Sequence, residues 1–145
     1  MPTTAQSYSS HRRFFPPLHF FAVPVLLVNV IVTSMQWDGT DPMMSAWRIL
    51  VAFTLMSVPF IARAMALTAQ NRVIRLEERM RLGALMPDGT REKVSELTTG
   101  QLVGLRFASD AEAPELAEKC LGGELRTSGD VKKAIKTWRP DYLRV

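Results

Sequence analysis

The stretch SAWRILVAFTLMSVPFIARAMALTAQNRVIRLEERMRL, residues 45–82, changes from apolar to charged halfway along while keeping a helical pattern. Within it, Pro59 is the residue that opposes an unbroken helix. We read the stretch as one helix that leaves a bilayer and continues into water. At about 1.5 Å per residue it would be about 57 Å long, so roughly 25 Å would project beyond the hydrocarbon.

The projecting half carries its own pattern. Ala62, Ala66, Ala69, Val73, Leu76, Met80 and Gly83 recur at alternating spacings of four and three, which keeps a narrow apolar seam on one side of a helix. With Ala66, Val73 and Met80 at the a positions, Arg72 falls at g and Glu77 at the following e, an arrangement that bridges two parallel copies. Ala66, Ala69, Val73, Leu76 and Met80 are therefore the candidate seam for a partner or for self-association. Two uses compete: a parallel homodimer, and cover by the C-terminal helices of the same chain. Three alanines and a terminal glycine weaken a coiled coil, so the sequence favours cover by the chain's own helices. Within one helix, Glu77 and Arg81 make a favourable i,i+4 pair.

Outward from this rod, a second apolar run appears upstream. No Asp, Glu, Lys or Arg occurs between Phe14 and Trp37, and Arg63 is the lone charge between Ile49 and Asn71. A spanning helix needs about 20 mainly apolar residues, so the expected spans are about 18–35 and 47–67. The 47% hydrophobic content would suit an ordinary soluble domain; it is the distribution that decides. A signal peptide is the competing reading of the first run. The long lead before it, Pro24 and Asn29 inside it, and the lack of a small-x-small cleavage site before Asp38 count against that. Pro24 and Asn29 both need packing partners in lipid.

Charge supplies the orientation. Arg12 and Arg13 precede the first run, Asp38 and Asp41 lie between the runs, and Arg63, Arg72, Arg75, Arg79 and Arg81 follow the second. By the positive-inside rule both termini are expected in the cytoplasm, with residues 36–44 facing outward. Arg12, Arg13, Trp47, Arg48 and Arg63 are the candidate interface anchors, Arg12 and Arg13 at the head groups and Arg48 and Arg63 by snorkelling. Basic and acidic side chains balance from Gly83 to Val145, so the net +4 is a juxtamembrane property and nucleic acid is not an expected partner.

The rest of the chain predicts short capped helices. Thr98 and Gln101 form a capping box, with Leu97 and Leu102 placed as a hydrophobic staple. Ser109 and Glu112 suggest a second box, opening a helix through Leu116 and Cys120 to Gly122-Gly123. A third helix is expected from Ser128 to just before Pro140, with Val131, Ala134, Ile135 and Trp138 on one face and Lys132, Lys133 and Lys136 on the other. Trp138 with those three lysines is the candidate tail contact, suited to anionic head groups. Three such helices approach the lower size limit for a core that folds unaided, so they need apolar surface from the stalk.

Catalytic, metal and cofactor sites are not expected. His11 and His19 have no Cys, Asp or Glu at ligand spacing, and no nucleophile elbow, phosphate loop or Cys-x-x-Cys occurs. Asp110, Glu112, Glu115, Glu118 and Glu124 read as solvated helix surface, and Cys120 as a packed helix position.

The segments RAMALTAQNRVIRLEERMRL, ELTTGQLVGLRFASDAEAPELAEK and KKAIKTWRPDYLRV, with HRRFFPPLHFF at the start, resemble a family of small bacterial two-span membrane proteins known only as a domain of unknown function. The resemblance covers His11 to Val145 and implies a transmembrane hairpin with a cytoplasmic helical tail. The expected architecture is an all-α membrane protein of the bacterial inner membrane. It comprises a mobile tail (1–13), a hairpin (14–67), a helical stalk (68–82) and a short-helix region (83–145). The expected role is a non-enzymatic anchoring, scaffold or accessory subunit, as a homodimer or within a larger membrane complex. The alternative is an oligomeric transport or channel component with Asn29, Arg48 and Arg63 along a polar path.

Overall fold

A computed structural model describes residues 7–8, 14–37 and 39–141. Among these the chain is helical, with one isolated antiparallel bridge between Ala108 and Trp138. It divides into two compact units, Arg13–Leu67 and one built on Thr68–Arg144. Arg12, Arg13, His11 and most of the expected mobile tail lie outside the described residues.

In the first unit a π-helical turn, Pro17–Ala22, runs into α1, Val23–Met35. Pro24 explains the wide turn: it has no amide hydrogen, and its ring would collide with a carbonyl four residues earlier in a regular α-helix. The chain relaxes there, and Val23 donates its N–H to Leu18 O instead. His19 Nδ1 lies 3.2 Å from the amide nitrogen of Phe15 and 3.0 Å from its carbonyl oxygen, at the mouth of this helix. The second long helix, α2, spans Pro42–Leu85 and keeps Pro59 inside it. Asp41 Oδ1 accepts from the Met44 amide at 3.0 Å, capping one of its free donors.

Three hydroxyls of this unit bond within their own helices: Ser34 donates to Val30 O, Thr54 to Leu50 O and Ser57 to Thr54 O. Large apolar side chains point outward all along both helices, among them Phe20, Phe21, Leu27, Ile31, Phe53 and Phe60. Pro17–Met35 and Pro42–Leu85 are both long and apolar enough to cross a membrane, and they contain the expected spans.

The second unit is a small helical domain. After α2 come α3 (Asp88–Arg91), a 3-10 turn (Glu92–Glu96), α4 (Thr99–Leu105), α5 (Ala113–Leu121) and α6 (Ser128–Ala134). Its core gathers Leu82 and Met86 from the end of the long helix with Leu97, Leu102, Leu105, Phe107, Leu116, Cys120 and Val131. The stalk thus supplies the missing apolar surface, but α2 runs past Gly83, where the sequence suggested a stop. Leu82 and Met86 are one turn apart and both belong to the core, so carrying the helix on to Leu85 keeps them on one buried face.

The capping box at Thr98 is present, and Gln101 does more than cap. Its Oε1 accepts from the Thr98 amide at 2.9 Å, while Nε2 donates to Leu125 O at 2.8 Å and Cys120 O at 3.3 Å. One buried amide therefore starts α4 and ties down the end of α5. That end is a left-handed Gly123 at φ +80°, with Glu124 N returning to Lys119 O. Burial pushes the Cys120 thiol up to about 11, which keeps it a neutral packing group.

Two local expectations change. Glu112 does not cap Ser109. Its carboxylate accepts from the amides of Lys136 and Thr137 at 2.8 and 3.0 Å. For the same reason the third helix ends at Ala134 rather than before Pro140: the next amides find a carboxylate in place of helical carbonyls, and Ile135 turns extended. Trp138 lies on this extended segment, held by Ser109 N to Thr137 O (3.1 Å) and Arg139 N to Phe107 O (2.7 Å). The helix start has its own box, Thr127 with Asp130, which also holds the Asp130 carboxyl below its usual range.

Helices α4 and α6 touch at Gly104, where a Cβ would sit 2.7 Å from Val131 Cβ and 3.2 Å from Ser128 O. Gly104→Ala should gain up to about 1 kcal/mol of helix propensity and lose about 1–3 kcal/mol to overpacking, a net destabilisation. Urea unfolding of the full chain in mild detergent measures it. An unchanged midpoint for Gly104→Ala would show that the two helices separate freely.

Candidate functional site

Side chains of α2 and of the chain after α4 converge on one polar cluster within the second unit. The turn after α4 leaves the carbonyl of Ala108 facing α2. Arg81, on α2, reaches it: Nη2 donates to Ala108 O at 2.7 Å, and Nη1 approaches Leu105 O at 3.5 Å. The same guanidinium binds two carboxylates, Glu78 Oε2 from Nη1 at 2.8 Å and Asp110 Oδ1 from Nε at 2.7 Å. One planar fork thereby joins the stalk to the loop after α4, a task that suits arginine and not lysine. Arg139 Nη1 stands 4.0 Å from the other oxygen of Glu78, and Arg106 pairs with Asp141 at 3.2 Å.

Glu78 is only 5% exposed. Burial pushes its carboxyl above the ordinary range, and the charge of Arg81 pulls it back without cancelling the shift. Asp110 runs the other way, held low by its hydrogen bond from Arg81. Beside this cluster lies an open cleft of about 830 Å³, bordered by Gln70, Val73, Glu77, Arg106 and Asp141 among others. The two carboxylates nearest Arg81 are engaged by the guanidinium, and no Ser, Cys, Lys or His stands among the lining residues as a nucleophile or base. Among the described residues no group of three or more His, Cys, Asp and Glu is placed to hold a metal ion. What the arrangement does chemically is clamp the tail domain onto the stalk.

The stalk presents two faces, and the tail covers the one the heptad pattern did not mark. Ile74, Glu78 and Leu82 are buried, one turn apart. Val73, Leu76 and Met80 stand 54%, 63% and 70% exposed, and Ala69 is exposed too. At about 3.6 residues per turn, Leu76 and Met80 point nearly opposite to Glu78 and Leu82. The expected cover of the seam by the chain's own helices is therefore corrected. Arg81 is the physical reason: it finds Asp110 and two carbonyls only if the Glu78 face turns inward. It also pairs with Glu78 and not with Glu77, as the i,i+4 spacing had suggested.

The remaining candidates fall as follows. Ala66 is half-buried and lies in the first unit with Trp47 and Arg48, which are exposed, and Arg63, which is half-buried. Trp138 is half-buried against Phe107, ring centroids 5.2 Å apart, and Lys132 Nζ lies 5.4 Å from the same Phe107 ring. Lys133 and Lys136 are exposed. The sequence reading gave no site role to Glu78, Arg81, Arg139 or Asp110: it paired Arg81 with Glu77 and placed Asp110 on solvated helix surface. The available signal was a second stripe, Ile74, Leu82, Leu85 and Met86, interrupted by the Glu78 carboxylate.

No curated protein and no solved structure matches the chain. A model of one family does match, across residues 1–145: the chain belongs to a family of unknown function (DUF6526).

Proposed function

We propose that the chain is a membrane-anchored, non-enzymatic scaffold or accessory subunit of the bacterial inner membrane, presenting its helical domain to a partner on the cytoplasmic side. The observation that carries the reading is the exposure of the two long apolar helices. A core helix of a soluble protein would be mostly covered, whereas only 6% of each apolar window is buried here. Apolar surface of that extent, on every side of helices of spanning length, is matched by lipid. The internally bonded hydroxyls of Ser34, Thr54 and Ser57 suit the same surroundings, because lipid offers no other partner. On the water side, the charged cluster at Arg81 holds a domain in place and leaves the adjoining stalk surface open, an arrangement suited to docking.

Extraction of native membranes with alkaline carbonate should leave the full chain in the pellet. Protease added to intact spheroplasts should spare the second unit and digest it only after lysis. Release into the carbonate wash, or cleavage of the second unit from outside, would remove this assignment.

A further inference from the structure

We infer that the open seam of α2 pairs in parallel with the same seam of a second copy of this chain. This rests on the membrane-anchored reading above, which holds neighbouring copies in one orientation. Val73, Leu76 and Met80 follow the spacing that meets its own image across a two-fold axis, and all three are exposed. The chain's own tail is not the occupant, because it is seated on the Ile74, Glu78 and Leu82 face.

Charge complementarity points to a second copy rather than to an unrelated protein. Arg72 and Glu77 flank the seam on opposite sides, five residues apart, and both are exposed with no ion pair drawn to them among the described residues. In a parallel pair, Arg72 of each copy reaches Glu77 of the other, so symmetry forms the bridge twice. The next arginine at an equivalent position, Arg79, is turned to its own tail, where Nη2 donates to Ser95 O at 2.8 Å. Its guanidinium is therefore held toward the tail and not across the seam. Exposed bridges add little strength but select orientation and partner, while the three large apolar side chains supply the burial. Confinement to one membrane raises the effective concentration of copies, which lets a short seam suffice.

Cysteine crosslinking of the full chain in native membranes tests this. In a Cys120→Ala background, Val73→Cys, Leu76→Cys and Met80→Cys should each give a disulfide dimer under mild oxidation, at least tenfold more than Arg75→Cys on the far side. Adding Glu77→Arg to Val73→Cys should reduce the dimer severalfold, and adding Arg72→Glu to that variant should restore it. Equal crosslinking at Arg75→Cys, no dimer at any seam position, an adduct with a different protein in place of the dimer, or no rescue by the double charge swap would each overturn the proposal. The same samples washed with carbonate report membrane insertion separately. Retention without the seam pattern sinks the pairing alone, and release into the wash sinks the membrane reading.

Discussion

Arg81→Met should cost about 3–5 kcal/mol of folding stability near neutral pH, because it leaves a buried carboxylate without its partner. Methionine preserves most of the length and apolar stem of the side chain, so the loss is that of the guanidinium. Glu78 would then keep only the distant Arg139, and the carbonyl of Ala108 would lose its donor. Denaturant unfolding of the full chain in mild detergent, or amide exchange along α4 and the end of α2, measures the change.

The pH dependence separates this cause from simple loss of packing. Burial already holds the native Glu78 carboxyl above 4.5, so the native state takes up that proton first as pH falls. Its contribution to stability thus improves as pH drops through the raised native value and worsens as pH climbs through it. Without Arg81 the native carboxyl rises further, so the deficit of Arg81→Met should be largest at neutral pH and shrink toward the acid side. Asp110 acts in the opposite sense: it is held below 3.8, stabilises above that range, and loses the contribution as pH falls through its lowered native value. Combining Glu78→Gln with Arg81→Met should recover much of the neutral-pH loss, since no buried charge is then left unpaired. A deficit independent of pH, with no recovery in the double variant, would contradict the clamp.

Phe107→Ala should cost a similar amount, about 3–5 kcal/mol, by removing a fully buried aromatic side chain from the centre of the tail domain. Phe107 packs against Trp138, and the Arg106 guanidinium carbon lies 4.6 Å from its ring centroid. Its carbonyl takes the Arg139 amide, so the segment after α6 is pinned at this residue by both backbone and ring. Emission from Trp138, isolated by Trp37→Phe and Trp47→Phe, should move to longer wavelength as water reaches the indole. If the emission and the unfolding midpoint both stayed put, Phe107 would not be the keystone of this segment. Lys132→Ala, by contrast, removes only a half-exposed cation beside the ring and should change stability by less than about 1 kcal/mol.

What could be read locally was read correctly at the Thr98 box, where donor and acceptor lie three residues apart and nothing distant competes. The box expected at Ser109 fails for the converse reason. Its carboxylate is within reach of two amides from a segment 24 and 25 residues away, and sequence spacing is blind to that approach. Cys120 was legible because an apolar spacing predicts burial whatever the partner. Trp138 was placed on a helix by its period with Val131 and Ile135, yet the backbone there answers to Glu112 and Phe107 instead.

By itself the sequence determined the positions of two apolar helices of spanning length, the continuation of the second into a charged stalk, and a tail of short capped helices. Those features follow from composition and from hydrogen bonds between near neighbours. Which side of the stalk receives the tail was decided only by the tertiary structure. Two stripes compete on that helix, and the heptad stripe has the better period. The other prevails because Arg81 completes its hydrogen bonds with Asp110, Leu105 and Ala108 only when the Glu78 face is turned inward. A preference set by partners 24 to 29 residues away leaves no trace in the local pattern, and its consequence is a heptad seam left open to a second molecule.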